Sequence, residues 1–212
     1  MSDKDLYVEN MDVTISKILP RVLDSLQKTD LNKIFETLKN INEPTIVTGV
    51  GGSSIVGEFL AKVLNEKNHI IATFKFPRDV KLMDLSGYKN IISVSYSGRN
   101  IGVDASFDNN LNKYLLSGSK RDGINALQYV VDDEEFSFVS MAGTFIPLSI
   151  ILATTNGTNS SKEASNILNN GAKIHSFLYC FILLLFTYKH LYINFSIFIT
   201  TYYSNTCIVK TT

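Results

Sequence analysis

Two runs of β-branched apolar residues, each ending in a short glycine–serine loop, constrain the fold of this 212-residue chain most tightly. The first is Ile46-Val47-Thr48-Gly49-Val50-Gly51-Gly52-Ser53-Ser54, and the second is Asn90-Ile91-Ile92-Ser93-Val94-Ser95-Tyr96-Ser97-Gly98-Arg99-Asn100. Each reads as a buried strand, a tight loop of small residues and the start of a helix. An open parallel sheet gathers such loops along the edge made by the carboxyl ends of its strands, where ligands bind. Backbone N–H groups and serine hydroxyls at that edge suit a small phosphorylated ligand.

The rest of the chain supplies matching elements in alternation. Met11, Ile15, Ile18, Leu19, Val22, Leu23 and Leu26 have helical spacing, with Pro20 expected to start a new turn or kink the helix. Asp30 is placed to cap a second helix with Leu31, Ile34, Phe35 and Leu38 on one side. Residues 1–41 thus read as an N-terminal helical arm.

Strands are expected over 45–48, 69–74, 90–94, 114–116 and 127–131, the second buried on both faces. Helices are expected over 54–65, burying Ile55, Phe59, Leu60, Val63 and Leu64, and through Val103, Phe107 and Leu111. Pro77-Arg78-Asp79 breaks the chain, and the acids of 132–135 precede a helical run over 136–153. This order calls for an α/β fold: a three-layer α/β/α sandwich with a five-stranded parallel sheet over 42–170, preceded by the N-terminal helices.

Composition excludes several classes. Formal net charge is zero, so no nucleic-acid footprint is indicated. Cys180 and Cys207 both follow Gly171, so the preceding residues hold no thiolate nucleophile, thiolate metal site or disulfide. The polar start, Met1-Ser2-Asp3-Lys4-Asp5, is not a secretory signal, and a cytoplasmic location is the expectation. Gly49-Val50-Gly51 begins a dinucleotide fingerprint, but Ser54 holds its third glycine position. The second strand also ends Ala72-Thr73-Phe74-Lys75-Phe76, with no acid for a ribose hydroxyl. No Gly-Lys-Ser/Thr follows either loop, and no cofactor or metal is expected.

Residues 171–212 differ in character. Phe, Leu, Ile and Tyr run almost unbroken over 174–188, about fifteen residues where ~18–20 are needed to span a bilayer. Three readings stay open: a membrane-associated hairpin, a buried pair of elements, or a shifted-frame replacement of the original C-terminus. No membrane association is expected of 1–170.

The succession strand–GxGxS–helix, strand–SxSG–helix, then Glu ahead of a serine-bearing segment resembles the sugar isomerase (SIS) domain over 42–156. It resembles the first module of double-SIS phosphosugar isomerases. The resemblance implies binding of a phosphorylated sugar within an aldose–ketose isomerase acting on a hexose or amino-sugar phosphate. The alternative is a non-catalytic module that senses a phosphosugar. It implies that Ser95, Tyr96, Ser97, Gly98 and Asn100 hold the phosphate. Gly51, Gly52 and Ser53 would then touch the sugar, as would Ser140 from Glu135-Phe136-Ser137-Phe138-Val139-Ser140. A homodimer is a further implication.

The chain departs from the family at three points. Ser97-Gly98-Arg99-Asn100 stands where SGNT or SGET is usual, Gly102 stands where an acid is frequent, and a base, histidine or lysine from a second module is not expected within these 212 residues. Glu135 is the one carboxylate nominated as a catalytic base. Its alternative role is that of a helix-start acid. His69 falls in an expected strand, and His175 and His190 in the tail.

Overall fold

Three parallel strands are locked together where they begin by a polar ladder. Asn90 Nδ2 donates to Thr45 Oγ1 at 3.3 Å, and Asn112 Nδ2 donates to Asn90 Oδ1 at 3.1 Å. These residues stand opposite one another, Thr45 to Asn90 and Asn90 to Asn112, so the ladder ties the strands in register. The computed structural model describes residues 11–135 and 141–155. They fall within one compact unit, Met1–Ser165; a second unit, Asn166–Thr212, lies outside the described residues, as do the three readings of the C-terminal stretch.

The elements are α1 (Met11–Lys28), α2 (Leu31–Lys39), β1 (Thr45–Gly49), α3 (Gly52–Asn68), β2 (Ala72–Phe74) and α4 (Pro77–Val80). They continue with β3 (Asn90–Val94), α5 (Ile101–Phe107), β4 (Asn112–Ser117), β5 (Asn125–Gln128) and α6 (Ala142–Thr155). All strands are parallel, in the order β2-β1-β3-β4-β5. β1 and β3 are buried throughout, as expected of strands covered on both faces.

One face of the sheet packs Ile46, Ile91 and Leu115 against Val80, Val103 and Phe107 of α4 and α5. The helices α3, α6, α1 and α2 form the other outer layer, with α6 at its centre. α6 is apolar on all sides, from Ile146 and Leu148 to Ile150 and Ile151, which fits a helix surrounded by other elements. α1 and α2 pack directly against it and bury Ile18, Val22, Leu26, Leu31, Ile34 and Leu38.

α1 runs unbroken from Met11 to Lys28 with Pro20 inside it. Several expectations are corrected. α3 runs to Asn68 and buries Val56, Gly57, Leu60, Ala61 and Leu64, whereas Ile55 is 37% exposed and Phe59 and Val63 are half-buried. The helix is rotated because Gly57 meets the sheet: a Cβ there would lie 2.9 Å from the Phe74 ring. His69 is the left-handed cap of α3 (φ 55°), not a strand residue. β2 is therefore short, and as an edge strand it leaves Thr73 and Phe74 half-buried. α5 ends at Phe107, where Asn109 turns the chain by accepting the Leu111 N–H at 3.0 Å. β5 covers Asn125–Gln128 and starts two residues early.

Candidate functional site

The sheet order reverses between β1 and β3: the chain passes from β1 to β2 on one side and returns to β3 on the other. Crevices at such reversals, outside the carboxyl ends of the strands, are where open α/β sheets take ligands. Gly49, the last residue of β1, pairs with Val94, the last of β3, so the two glycine–serine loops leave the sheet side by side. Gly49, Ser53, Ser93, Ser95 and Asn100 line a narrow crevice between them. Gly102 also lines it and is closely packed: a Cβ there would meet Val50 and Asn100 at 3.1 Å and Pro77 at 3.2 Å.

The first loop folds back tightly onto α3. A Cβ on Gly49 would lie 2.5 Å from the Ser53 carbonyl oxygen, and Gly51 has φ 61°, which L side chains rarely adopt. Ser53 N–H donates to Val50 O at 3.2 Å, and Ser54 donates to Gly51 O through both N–H (3.0 Å) and Oγ (2.7 Å). Ser54 is thereby engaged, while Ser53 borders the crevice. The N–H groups of Gly51 and Gly52 meet no acceptor among the described residues.

The second loop is organised by its own serines. Ser95, buried at 5% exposure, donates its N–H to Leu116 O at 3.1 Å and accepts the Gly98 N–H on Oγ at 3.1 Å. Ser97 Oγ accepts the Arg99 N–H at 3.3 Å. Asn100 caps α5 by accepting the Gly102 N–H on Oδ1 at 2.7 Å. Gly98 turns the chain with φ 66°. Among the described residues the N–H groups of Tyr96, Ser97 and Asn100 donate to nothing. Both serine hydroxyls act here as acceptors, so their protons remain available to a ligand. Arg99 is exposed beside the loop.

Tyr96 points away from this concave arrangement. Its carbonyl accepts the Gly118 N–H at 3.1 Å and the Ser117 hydroxyl at 3.4 Å, and its own hydroxyl is buried with no hydrogen bond of ordinary geometry. Burial pushes the phenol up to about 12. The Glu135 backbone N–H opposes the rise, and the Glu135 charge adds to it. Tyr129, fully buried beside it, is likewise raised by desolvation first and then by Tyr96.

Glu135 sits at the start of α6, where Oε1 accepts the Met141 N–H at 3.0 Å and Oε2 the Ala142 N–H at 2.5 Å. The carboxylate thus caps α6, the helix-start role set beside the catalytic one above. Ser140 lies outside the described residues. His69, at the exposed end of α3, stands where strands begin, at the edge of the sheet opposite the crevice. Among the described residues no group of three His, Cys, Asp or Glu is placed to hold a metal ion, and no helix is long and apolar enough to cross a membrane.

Sequence reasoning missed Arg21, Ser117 and Tyr129, which surround the second loop from behind. The signal for Arg21 was its position three residues after Ile18 and four before Ser25, inside the buried arc of α1.

No protein-family model matches the chain, and no curated protein matches it in sequence. Solved structures share its fold at low identity. Tagatose-6-phosphate ketose/aldose isomerase from Escherichia coli is similar over 81% of this chain and 56% of its own, at 17% identity and a TM-score of 0.60. The Vibrio vulnificus NanR protein, complexed with ManNAc-6P, is similar over 77% of this chain and 68% of its own, at 17% identity and a TM-score of 0.53. The C-terminal domain of glucosamine-fructose-6-phosphate aminotransferase from Francisella tularensis is similar over 80% of this chain and 55% of its own, at 13% identity and a TM-score of 0.54. The chain spans little more than half the length of the tagatose isomerase and of the aminotransferase domain. Its fold is that of the sugar isomerase domain.

Proposed function

We propose that this chain binds a phosphorylated sugar in the crevice between the loops after β1 and β3, with the phosphate on residues 95–100. The observation that carries this reading is the pair of N–H sets that have no partner among the described residues, Gly51 and Gly52 on one loop and Tyr96, Ser97 and Asn100 on the other. Adjacent backbone donors of this kind hold anions without needing a fixed cation. The hydroxyl protons of Ser95 and Ser97 add charge-assisted donors to the same anion. The ligand bound to a structure of the same fold, ManNAc-6P, supports a sugar phosphate over a nucleotide.

Aldose–ketose isomerisation needs a base beside the exchanging carbon and a donor to the carbonyl oxygen. Glu135 is the candidate base. The alternative, a non-catalytic phosphosugar-sensing module, is favoured by one observation: both oxygens of Glu135 are already held by backbone N–H groups of α6.

Calorimetric titration with fructose 6-phosphate and with unphosphorylated fructose tests binding. The phosphate ester is expected to bind and the free sugar not, with affinity lost in a Ser95→Ala/Ser97→Ala variant. Equal behaviour of the two sugars contradicts the reading. Proton exchange at C2 in deuterated water then separates the isomerase from the sensor. Exchange that disappears in Glu135→Gln marks an enzyme, and binding without exchange marks a sensor.

A further inference from the structure

Arg21 is a cation inside the apolar arc of α1, with only 2% of its side chain exposed. Its Nε donates to Asp133 Oδ2 at 3.0 Å, and its Nη2 donates to Asp133 Oδ1 and to the Glu134 carbonyl, each at 3.2 Å. Two further bonds tie the same segment to the end of α1 and its cap. Lys28 Nζ reaches Asp132 Oδ2 at 2.5 Å, and Thr29 Oγ1 accepts the Val130 N–H at 3.0 Å. Residues 130–134 are thereby fastened along α1.

This segment in turn leads to the second loop. Tyr129 N–H donates to Ser117 O at 3.1 Å, and Gln128 Nε2 donates to Gly118 O at 3.3 Å. Ser117 Oγ and Gly118 N–H both donate to the Tyr96 carbonyl, at 3.4 and 3.1 Å. At its far end the segment carries Glu135 to the start of α6.

An ion pair open to solvent on its carboxylate side adds little net stability, but the planar fork of the arginine fixes geometry. The geometry points to Arg21 as a positioning residue for the ligand loop: through Asp133 and Glu134 it holds residues 129–135 as the support on which Ser117, Gly118 and the Tyr96–Gly98 turn rest. This inference rests on the phosphosugar reading of the site. Asp133 is the point at which to test it, because its side chain is 55% exposed and can change without leaving a core cavity.

Backbone amide spectra of full-length Asp133→Asn without ligand give the first readout. The amides of Tyr96, Ser97 and Gly98 are expected to shift, and Asp133→Glu is expected to restore them. The second readout is the Kd for fructose 6-phosphate, expected to rise about fivefold or more in Asp133→Asn and to recover in Asp133→Glu. Spectral change confined to α1 and 130–134, with an unaltered Kd, overturns the proposal. Should Asp133→Asn fail to fold, Arg21→Lys is read by the same spectra, since it keeps the charge but loses the fork. If the unaltered protein binds no fructose 6-phosphate, the phosphosugar reading fails, while the amide shifts still decide the positioning claim.

Discussion

Gly98 and Ser117 stand so close that a Cβ on Gly98 would lie 2.8 Å from the Ser117 hydroxyl oxygen. The same glycine has φ 66°, so a side chain there is strained by backbone and by space at once. Ser117 cannot retreat freely, because its Oγ donates to Tyr96 O and accepts the Ser119 N–H. Gly98→Ala is therefore expected to lower unfolding free energy by about 1–3 kcal/mol and to weaken phosphosugar binding. Gly123→Ala is the control, with φ 72° but open space around it. It should cost about 1–2 kcal/mol in urea unfolding and leave the Kd unchanged.

The two loop serines should separate in stability. Ser95 is buried and its Oγ takes the Gly98 N–H, so Ser95→Ala leaves that donor only its longer bond to Ser95 O at 3.3 Å and is expected to cost ~1–1.5 kcal/mol. Ser97 is half-buried and its bond to Arg99 N–H is longer at 3.3 Å, so Ser97→Ala should cost less than ~1 kcal/mol. Both substitutions should weaken binding of the phosphate ester. Urea unfolding and calorimetry on the same samples check the contrast.

Glu135→Gln replaces two acceptor oxygens by one, while the N–H groups of Met141 and Ala142 both need an acceptor. The lost bond and the lost charge at the start of α6 are expected to cost ~1–2 kcal/mol in thermal or urea unfolding. A loss of C2 proton exchange in this variant counts as catalytic only at a temperature where the variant is fully folded.

Alkaline pH should act on the support behind the loop. The Tyr96 phenol is held up to about 12 in the folded chain, against 10.0 for a free tyrosine. A folded-state value above the unfolded one gives stability that is present below about pH 10 and lost as pH rises towards about 12. Tyr129 is shifted the same way. Urea midpoints measured from pH 8 to 11 should fall at the alkaline end, and Tyr96→Phe should reduce that fall. An equal fall in the variant contradicts the role given to Tyr96.

What could be read in the sequence was what short-range chemistry controls. β3 occupies 90–94 as its apolar run requires, and Asp30 caps α2 through the Lys33 N–H. The loops after β1 and β3 stand where glycine and serine spacing placed them. The buried face of α3 was not legible, because it includes the small residues Gly57, which meets the Phe74 ring, and Ala61, whereas hydrophobic periodicity gives weight to bulky residues. The start of β2 was hidden by the Asn65 side chain, which bonds both the N–H (3.1 Å) and the carbonyl (2.6 Å) of Ala72 across the turn. Arg21 was obscured for a related reason: its partners Asp133 and Glu134 lie 112 and 113 residues away.

The central claim is that one phosphorylated sugar engages the N–H groups of both loops, with its phosphate on residues 95–100. Titration of the isotopically labelled protein with fructose 6-phosphate, followed through backbone amides, tests it most directly. Saturable shifts of Gly51, Gly52, Tyr96, Ser97 and Asn100 are predicted, and unphosphorylated fructose should not produce them. Shifts of equal size with both sugars, or saturable binding that leaves these amides unmoved, would contradict it.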